Sequence, residues 1–390
     1  MSSDVDKNEM YCNACIRALM LANTSITQAR VGELLKRRDT YGKKDTLALD
    51  AIPEIQIKDY LLGFDPDSAL ITEEQGRNFL KNWPSFSDIK FHPSVFFCDP
   101  TDRSSFLKKF LEFLQTNGYE DKKLAEALAQ KEMMENWEKI AERPASITGS
   151  VSAITCVRRG RIIFSVLLNY ITQELTVACS SGIKIIKLAD CGSNGGTVVF
   201  DRVMSAGRPI EFSLAPNDWD CQKYFTAFMG AEGKTGYAEN IRDSEILPPN
   251  ELKTFGRYHE PGGPARILYL SSLHLKEEPM GFILANGEKV TEWIHWLPFI
   301  RFAKQGDKRT LRLFEISHAR PWTKEGVLMA AAPIYSVFQQ FDGITAMDIN
   351  FLKRFPNPSR YRSTLIVAPY NNEWVNHIMQ ELCYREITLE

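Results

Sequence analysis

The stretch "GIKIIKLADCGSNGG", residues 182–196, decides how this chain is read. A mostly apolar run ends near Asp190, and Gly192, Gly195 and Gly196 follow within five positions. "IKIIKLA" has the composition of a buried strand. Glycines behind such a strand let the backbone approach a ligand that side chains would otherwise block. In a parallel α/β sheet, ligands bind outside the carboxyl ends of the strands, where such turns lie. A glycine-rich β-hairpin writes the same letters, so the neighbouring segments have to choose between the two.

Outward from the turn, "TVVFDRVMSA" predicts a helix and "RPIEFSLA" a strand. "ARILYLSSL", "GVLMAAAPI" and "STLIVAP" are further strand candidates, and "RIIFSVLLNYITQEL" carries apolar residues at helical spacing. Short apolar strands alternating with helices predict an α/β domain with a largely parallel sheet. Residues 1–145 read as mostly helical. "NEMYCNACIRALMLA" and "RVGELLKRRD" have helical spacing, and residues 104–142 hold two helices joined at Asn117-Gly118, with Ser104 or Ser105 as N-cap. "HPSVFFCDPTD" between them holds one short strand ending in a turn. Arg143-Pro144 and "ASITGS" make a linker. The expected organisation is a mostly helical domain over 1–145 and a Rossmann-like α/β domain over 146–390.

Two domains also suit a chain of 390 residues. Its 44% hydrophobic content supports a packed core, and its net charge of −2 argues against a surface built throughout for nucleic acid. No run of about 18 uncharged apolar residues marks a membrane span, and "MSSDVDKNEM" lacks the apolar core of a secretory signal. Eight spread-out cysteines suggest a reduced chain, and the expected location is cytoplasmic. Cys12 and Cys15 form one Cys-x-x-Cys with no second pair, two short of a zinc site's four ligands, so no metal is assigned.

Asp190-x-Gly192-x-x-Gly195-Gly196 resembles the first motif of class I S-adenosylmethionine (SAM)-dependent methyltransferases. About 20 residues on, "IEFSLAPNDWDCQKYF" is similar to the second motif of their SABATH branch, small-molecule carboxyl and nitrogen methyltransferases, through Pro216, Asn217, Asp218, Trp219, Asp220 and Phe225. "LYLSSLHLKEEP" is similar to that family's Ser-x-Ser-Leu-His segment through Ser271, Ser272, Leu273, His274 and Pro279. "RLFEISHARPWTKEGVLMAAAP" resembles its helix, glycine turn and strand, and residues 368–390 its last helix and strand. The departures are that Phe212-Ser213 stand where the family has an Asn-Asp pair, and Leu275 where it has a substrate-touching Trp.

The resemblance implies SAM as cofactor, lying over Gly192, Ser193, Gly195 and Gly196. Asp190 would sit near its methionine end and Asp218 at its ribose or adenine amine. A small-molecule acceptor, methylated at a carboxylate, would meet Ser271 and Ser272, with Trp293 and Trp296 as flat walls. A carboxylate needs no strong base, so positioning would carry the rate. A nitrogen or hydroxyl acceptor would need one, and His274 is the candidate. Two rival expectations stand beside this one. Basic groups at "LKRRD", "CVRRGR", "AKQGDKRTLR" and "LKRFPNPSRYR", with aromatics interleaved, suit an RNA-binding, nucleoprotein-like protein. The other rival is an inactive methyltransferase fold serving as an interaction scaffold.

Overall fold

A computed structural model of the protein describes residues 4–38, 46–72, 93–141, 149–158, 161–191 and 199–210. Beyond these it describes 225–229, 282–289, 295, 298–299, 311–316, 362–369 and 384–387. The chain divides into two compact units. The first is Met1–Ile210 with Ile267–Tyr269 and His295–Phe302; the second holds Glu211–Arg266, Leu270–Ile294 and Ala303–Glu390.

The first unit begins with α1 (Asp4–Gln28), as its helical spacing predicts. Cys12, Cys15, Leu19, Ala22 and Ile26 recur at steps of three and four and are buried as one stripe. A single turn, α2 (Val31–Leu34), leads to α3 (Ala48–Phe64). The strands β1 (Ala69–Thr72) and β2 (Ser94–Asp102) run parallel. Next come α4 (Ser104–Leu114), a turn in which Asn117 and Gly118 leave helical geometry, α5 (Leu124–Leu128) and α6 (Lys131–Ala141). Gly118 has φ 80, which is the stop that Asn-Gly predicts. Phe110 of α4 and Trp137 of α6 meet edge to face, ring centroids 5.4 Å apart.

From β2 onward every neighbouring pair is antiparallel. The remaining strands are β3 (Val151–Arg158), β4 (Arg161–Asn169), β5 (Glu174–Cys179), β6 (Gly182–Lys187) and β7 (Arg208–Pro209). They lie in chain order in one seven-stranded sheet. α7 (Val199–Ala206), the helix predicted from "TVVFDRVMSA", precedes β7. The chain is α/β in content, but this is a meander, which needs no crossover helices. The expected parallel, Rossmann-like sheet is therefore corrected.

The error has a local cause. β4 is buried on both faces, so "IIFSVLL" is a continuous apolar run that spacing alone cannot tell from a buried helix. One face of the sheet presents Phe96, Cys98, Ile154, Cys156, Phe164, Val166, Leu168 and Val177 to the core shared with α1. Each of the Phe, Ile, Val and Leu side chains among them contributes roughly 1.5–3 kcal/mol by burial. β2 and β3 stand side by side in the sheet. Residues 94–102 and 151–158 thus share one core across the boundary expected at 145/146.

Of the second unit, five strands are described: β8 (Phe225–Met229), β9 (Phe282–Lys289), β10 (Leu311–Ile316), β11 (Arg362–Pro369) and β12 (Tyr384–Ile387). Their order is β12-β10-β11-β9-β8, with only β8 and β9 parallel. "STLIVAP" is a strand as expected. "RLFEI", expected in a helix by resemblance, is β10, and Phe225 opens a strand where the resemblance has a helix. Among the described residues no helix is long and apolar enough to cross a membrane.

Candidate active site

The described part of the opening stretch, residues 182–191, lies in an antiparallel setting. β6 pairs antiparallel with β5 on one side and with β7 on the other, and runs into a short 3-10 turn, Leu188–Cys191. Among the described residues β6 has no parallel neighbour, so this sheet does not form the switch point that a parallel sheet would offer there. Asp190 is exposed on that turn, and its backbone carbonyl accepts a hydrogen bond from Arg202 Nε at 3.1 Å. Gly192, Ser193, Gly195, Gly196, Asp218, Ser271, Ser272, His274, Trp293 and Trp296 lie outside the described residues. His295, between those two tryptophans in sequence, is 1% exposed, and its Nδ1 shares a 2.8 Å hydrogen bond with the Thr155 hydroxyl. It is a core histidine of the first unit. Of the basic groups, Arg158 lies over the Tyr11 ring at 5.1 Å and donates to Asn8 Oδ1 at 3.1 Å.

What the sequence reading passed over is the end of β2. The run "VFFCDPTDR" enters the core as a strand and leaves it as Asp99-Pro100-Thr101-Asp102. Opposite, on β3, the pairing steps from Ala153 to Val151 while β2 steps from Asp99 to Asp102. Two residues of β2 thus face one of β3, which is a bulge, and Pro100 suits it because a proline has no N–H to give the ladder. Bulges re-aim the side chains beside them. Here those side chains are carboxylates.

Five hydroxyl contacts fix this corner. Ser152, opposite the bulge, donates to the Pro100 carbonyl and shares a hydrogen bond with the Tyr170 hydroxyl. Tyr170 itself reaches the Pro100 carbonyl at 3.3 Å. The Ser150 hydroxyl donates to the Asp102 carbonyl at 2.9 Å, and the Thr101 hydroxyl donates to the Leu49 carbonyl of α3 at 2.9 Å.

That last bond brings a second element to the corner. The buried stripe of α3 reads Asp50, Glu54, Ile57, Leu61, so its first two turns bury acids where the later ones bury aliphatics. Asp50 is 7%, Glu54 0% and Asp99 5% exposed, whereas Asp102 is half-buried. Burial pushes the Tyr170 phenol up. Its hydrogen bond with Ser152 pulls the other way, and the nearby Cys98, Asp99 and Asp50 add to the upward push. Asp50 and Asp99 therefore lie within electrostatic reach of one phenol.

At the last residue of β1, in register with Cys98, the Thr72 hydroxyl is buried and has no hydrogen-bond partner. Beyond Asp102, Arg103 takes the left-handed conformation (φ 62, ψ 32), and α4 starts at once with Ser104. The expectation that Ser104 or Ser105 caps this helix is corrected: Arg103 is the N-cap, and no side chain closes the end. The first N–H groups of α4 are those that intrahelical bonding leaves over.

No family model matches the chain, and no curated protein does. Among solved structures it is similar to CysQ from Bacteroides thetaiotaomicron, described as a bacterial member of the inositol monophosphatase family. The likeness has TM-score 0.48 and 11% identity, and covers 94% of this chain and 98% of that one. It is also similar to the inositol monophosphatase from Anabaena (Nostoc) sp. PCC 7120, with TM-score 0.47, 10% identity and 97% of each chain covered. The extragenic suppressor protein SuhB from Bartonella henselae gives TM-score 0.44 and 13% identity, over 77% of this chain and 86% of that one. Likeness of this degree does not by itself establish an activity. The antiparallel sheet, with strands at Phe225–Met229 and Leu311–Ile316 where the resemblance has helices, overturns the SABATH resemblance, the SAM cofactor and the methyl-transfer reading.

Proposed function

We propose that the chain hydrolyses a phosphate monoester with the help of a hard divalent cation held at the Asp99–Asp102 corner. The observation that carries this reading is the bulge at the end of β2. It sets two carboxylates around a proline directly before the open N-terminus of α4, with Asp50 and Glu54 on the helix tied to it. The carboxylate corner, and not a likeness at these TM-scores, is what supports it.

The donor set fits such a cation. Among the described residues no three His, Cys, Asp or Glu side chains converge as a cage. Mg²⁺ is commonly held by one or two carboxylates, with waters and substrate phosphate oxygens completing the shell. Asp99 and Asp102 would hold it here, and once bound it would supply charge stabilisation for the phosphoryl oxygens. The buried, unpartnered Thr72 hydroxyl is a further oxygen donor beside this corner. The chain's own part is positioning. The leading N–H groups of α4, with the positive end of its dipole, suit phosphate oxygens. Ser150, Ser152, Thr101 and Tyr170 hold the carboxylates in place.

The test is release of inorganic phosphate from a panel of aryl, sugar and polyol monophosphates, with Mg²⁺, with a chelator, and with Asp99→Asn. The expected result is release that needs Mg²⁺ and is lost in the variant. Release that continues unchanged in chelator, or none from any ester, overturns the proposal.

A further inference from the structure

We infer that the basic run Lys36, Arg37 and Arg38 recognises a second anionic group on the substrate. The ester that the chain cleaves then carries a distal phosphate or carboxylate besides the phosphate that is released. Turnover of such an ester rests on the hydrolase reading above, whereas binding of a doubly anionic ligand does not.

The place of the run is fixed by α3. Beyond α2 the chain lies antiparallel to the segment that enters α3. The Ala48 N–H donates to the Lys36 carbonyl at 2.8 Å, and the Arg38 N–H donates to the Thr46 carbonyl at 2.9 Å. Arg37 therefore stands directly opposite Leu47, the N-cap of α3. Residues opposed in this way have Cα atoms about 4.5 Å apart. Asp50 is three positions beyond Leu47, a spacing of about 5–6 Å on a helix. Between them the Leu49 carbonyl takes the Thr101 hydroxyl, which ties the same turn to the Asp99–Asp102 corner. The backbone of Arg37 thus lies within about 10 Å of Asp50.

Three exposed cations in succession are ordinarily a solvated face, and two observations set these apart. Other exposed cations of the first unit are answered by acids: Arg30 by Asp121 at 3.9 Å, Lys108 by Glu112 at 3.6 Å and Lys131 by Glu135 at 4.0 Å. Among the described residues no acid pairs with Lys36, Arg37 or Arg38. In a chain of net charge −2 the run is a local excess, not part of a generally basic surface. The second observation is what lies beside it. Asp50, Glu54 and Asp99 are buried acids, which repel an anionic substrate. A divalent cation held among them answers the scissile phosphate, but it does not reach an anion about 10 Å away, where screening by salt is already strong. Cations just outside the acids do. A surface of one sign also raises the local concentration of the opposite charge, and the guanidinium fork suits phosphate and carboxylate alike.

The test uses three substrates that differ only at the far end: the para-carboxylate of phenyl phosphate, its methyl ester, and para-phenylene bisphosphate. Phosphate release with Mg²⁺ is compared in wild type, in Lys36→Gln/Arg37→Gln/Arg38→Gln, and in a control. The control, Lys131→Gln/Lys139→Gln/Lys187→Gln, removes the same charge from exposed positions on α6 and β6. The bonds that seat the basic run are backbone bonds, so the substitutions leave it in place. The expected result in the run variant is a KM raised about tenfold for the carboxylate and the bisphosphate, with kcat nearly kept and the methyl ester changed by less than about threefold. Wild-type kcat/KM for the two doubly anionic probes should fall with added salt, and this dependence should flatten in the run variant. An equal effect on all three substrates overturns the inference, because the run then acts on the scissile phosphate or on the fold. So does an equal loss in the control, because then only net charge matters. If no form hydrolyses any probe, the hydrolase reading falls, and calorimetric titration with para-phenylene bisphosphate decides alone. Wild-type binding that weakens about tenfold in the run variant but not in the control supports the anion surface, and equal or absent binding overturns it.

Discussion

The Thr101 hydroxyl donates to the Leu49 carbonyl, which the helix α3 cannot supply with a donor of its own. Leu49 would normally accept from the residue four positions on, which is Pro53, and proline has no N–H. The proline and the threonine are therefore two halves of one device. The gap that Pro53 leaves in the helix is filled from the end of β2, and Asp50, next after Leu49, is thereby tied to the Asp99–Asp102 bulge.

Thr101→Val should expose this dependence. The valine keeps the shape and leaves the buried Leu49 carbonyl without its donor, which costs about 1–3 kcal/mol. Thr101→Ser restores the hydroxyl and should recover most of that loss. Denaturant unfolding measures both. A valine variant as stable as wild type would mean that the carbonyl finds another donor and that the two elements are not coupled here.

Asp99→Asn and Asp102→Asn should separate activity from stability. Removing a carboxylate from a corner rich in acids relieves repulsion, so the melting temperature should hold or rise. Loss of even an outer partner of a metal ligand costs 10–100-fold, so phosphate release should fall by more than about 100-fold. A paired measurement of melting temperature and phosphate release decides it. A variant that loses stability but keeps its rate would make these acids structural.

The helices were largely legible in the sequence because their signals are local. α1 shows its stripe at Cys12, Cys15 and Leu19, α7 its apolar face, and Asn117-Gly118 its stop. The sheet was not legible in the same way. β4 and β6 are apolar enough to suit a parallel sheet, and only pairing, such as that of Asn169 with Glu174 for β4 and of Glu174 with Lys187 for β6, shows them to be antiparallel. The site hid for another reason. Asp99-Pro100-Thr101-Asp102 reads as an ordinary turn, and its one local signal was two acids directly behind the apolar run Val95–Cys98. Asp50 and Glu54 belong with it only through a bond spanning 52 residues. No window along the chain contains that.

Tyr170→Phe tests the clamp behind the bulge. The phenol gives up its contacts with Ser152 and the Pro100 carbonyl, while Ser152 still donates to that carbonyl. The expected loss is therefore close to one net hydrogen bond, about 1 kcal/mol. Ser152→Ala removes the donor itself and should cost more. If the order is reversed in unfolding measurements, the tyrosine and not the serine is the principal support of Pro100.

The buried thiols predict how stability responds to alkali. Cys12 and Cys15 of α1 and Cys156 of β3 are fully enclosed. Burial is the main cause that pushes all three thiols up, with neighbouring cysteines adding to it for Cys12 and Cys15. In the unfolded chain they ionise near their ordinary value, about 8.5. Above that pH the unfolded state has released protons that the folded state still holds, so stability falls as pH rises, and below it the thiols contribute no pH dependence. Each such group lowers stability by about 1.4 kcal/mol per pH unit, and three together by about 4 kcal/mol per pH unit. Tyr170, raised in the same direction, joins them above about pH 10. Urea unfolding at pH 7, 8, 9.5 and 10.5 under reducing conditions should be flat at first and then steep. Cys15→Ala should lower the curve at pH 7 through lost packing, yet reduce its alkaline slope, since one of the protons that the folded state retains is gone. A slope that the substitution leaves unchanged would place the alkaline transition on other groups, and a profile flat to pH 10.5 would mean that the thiols ionise without opening the core.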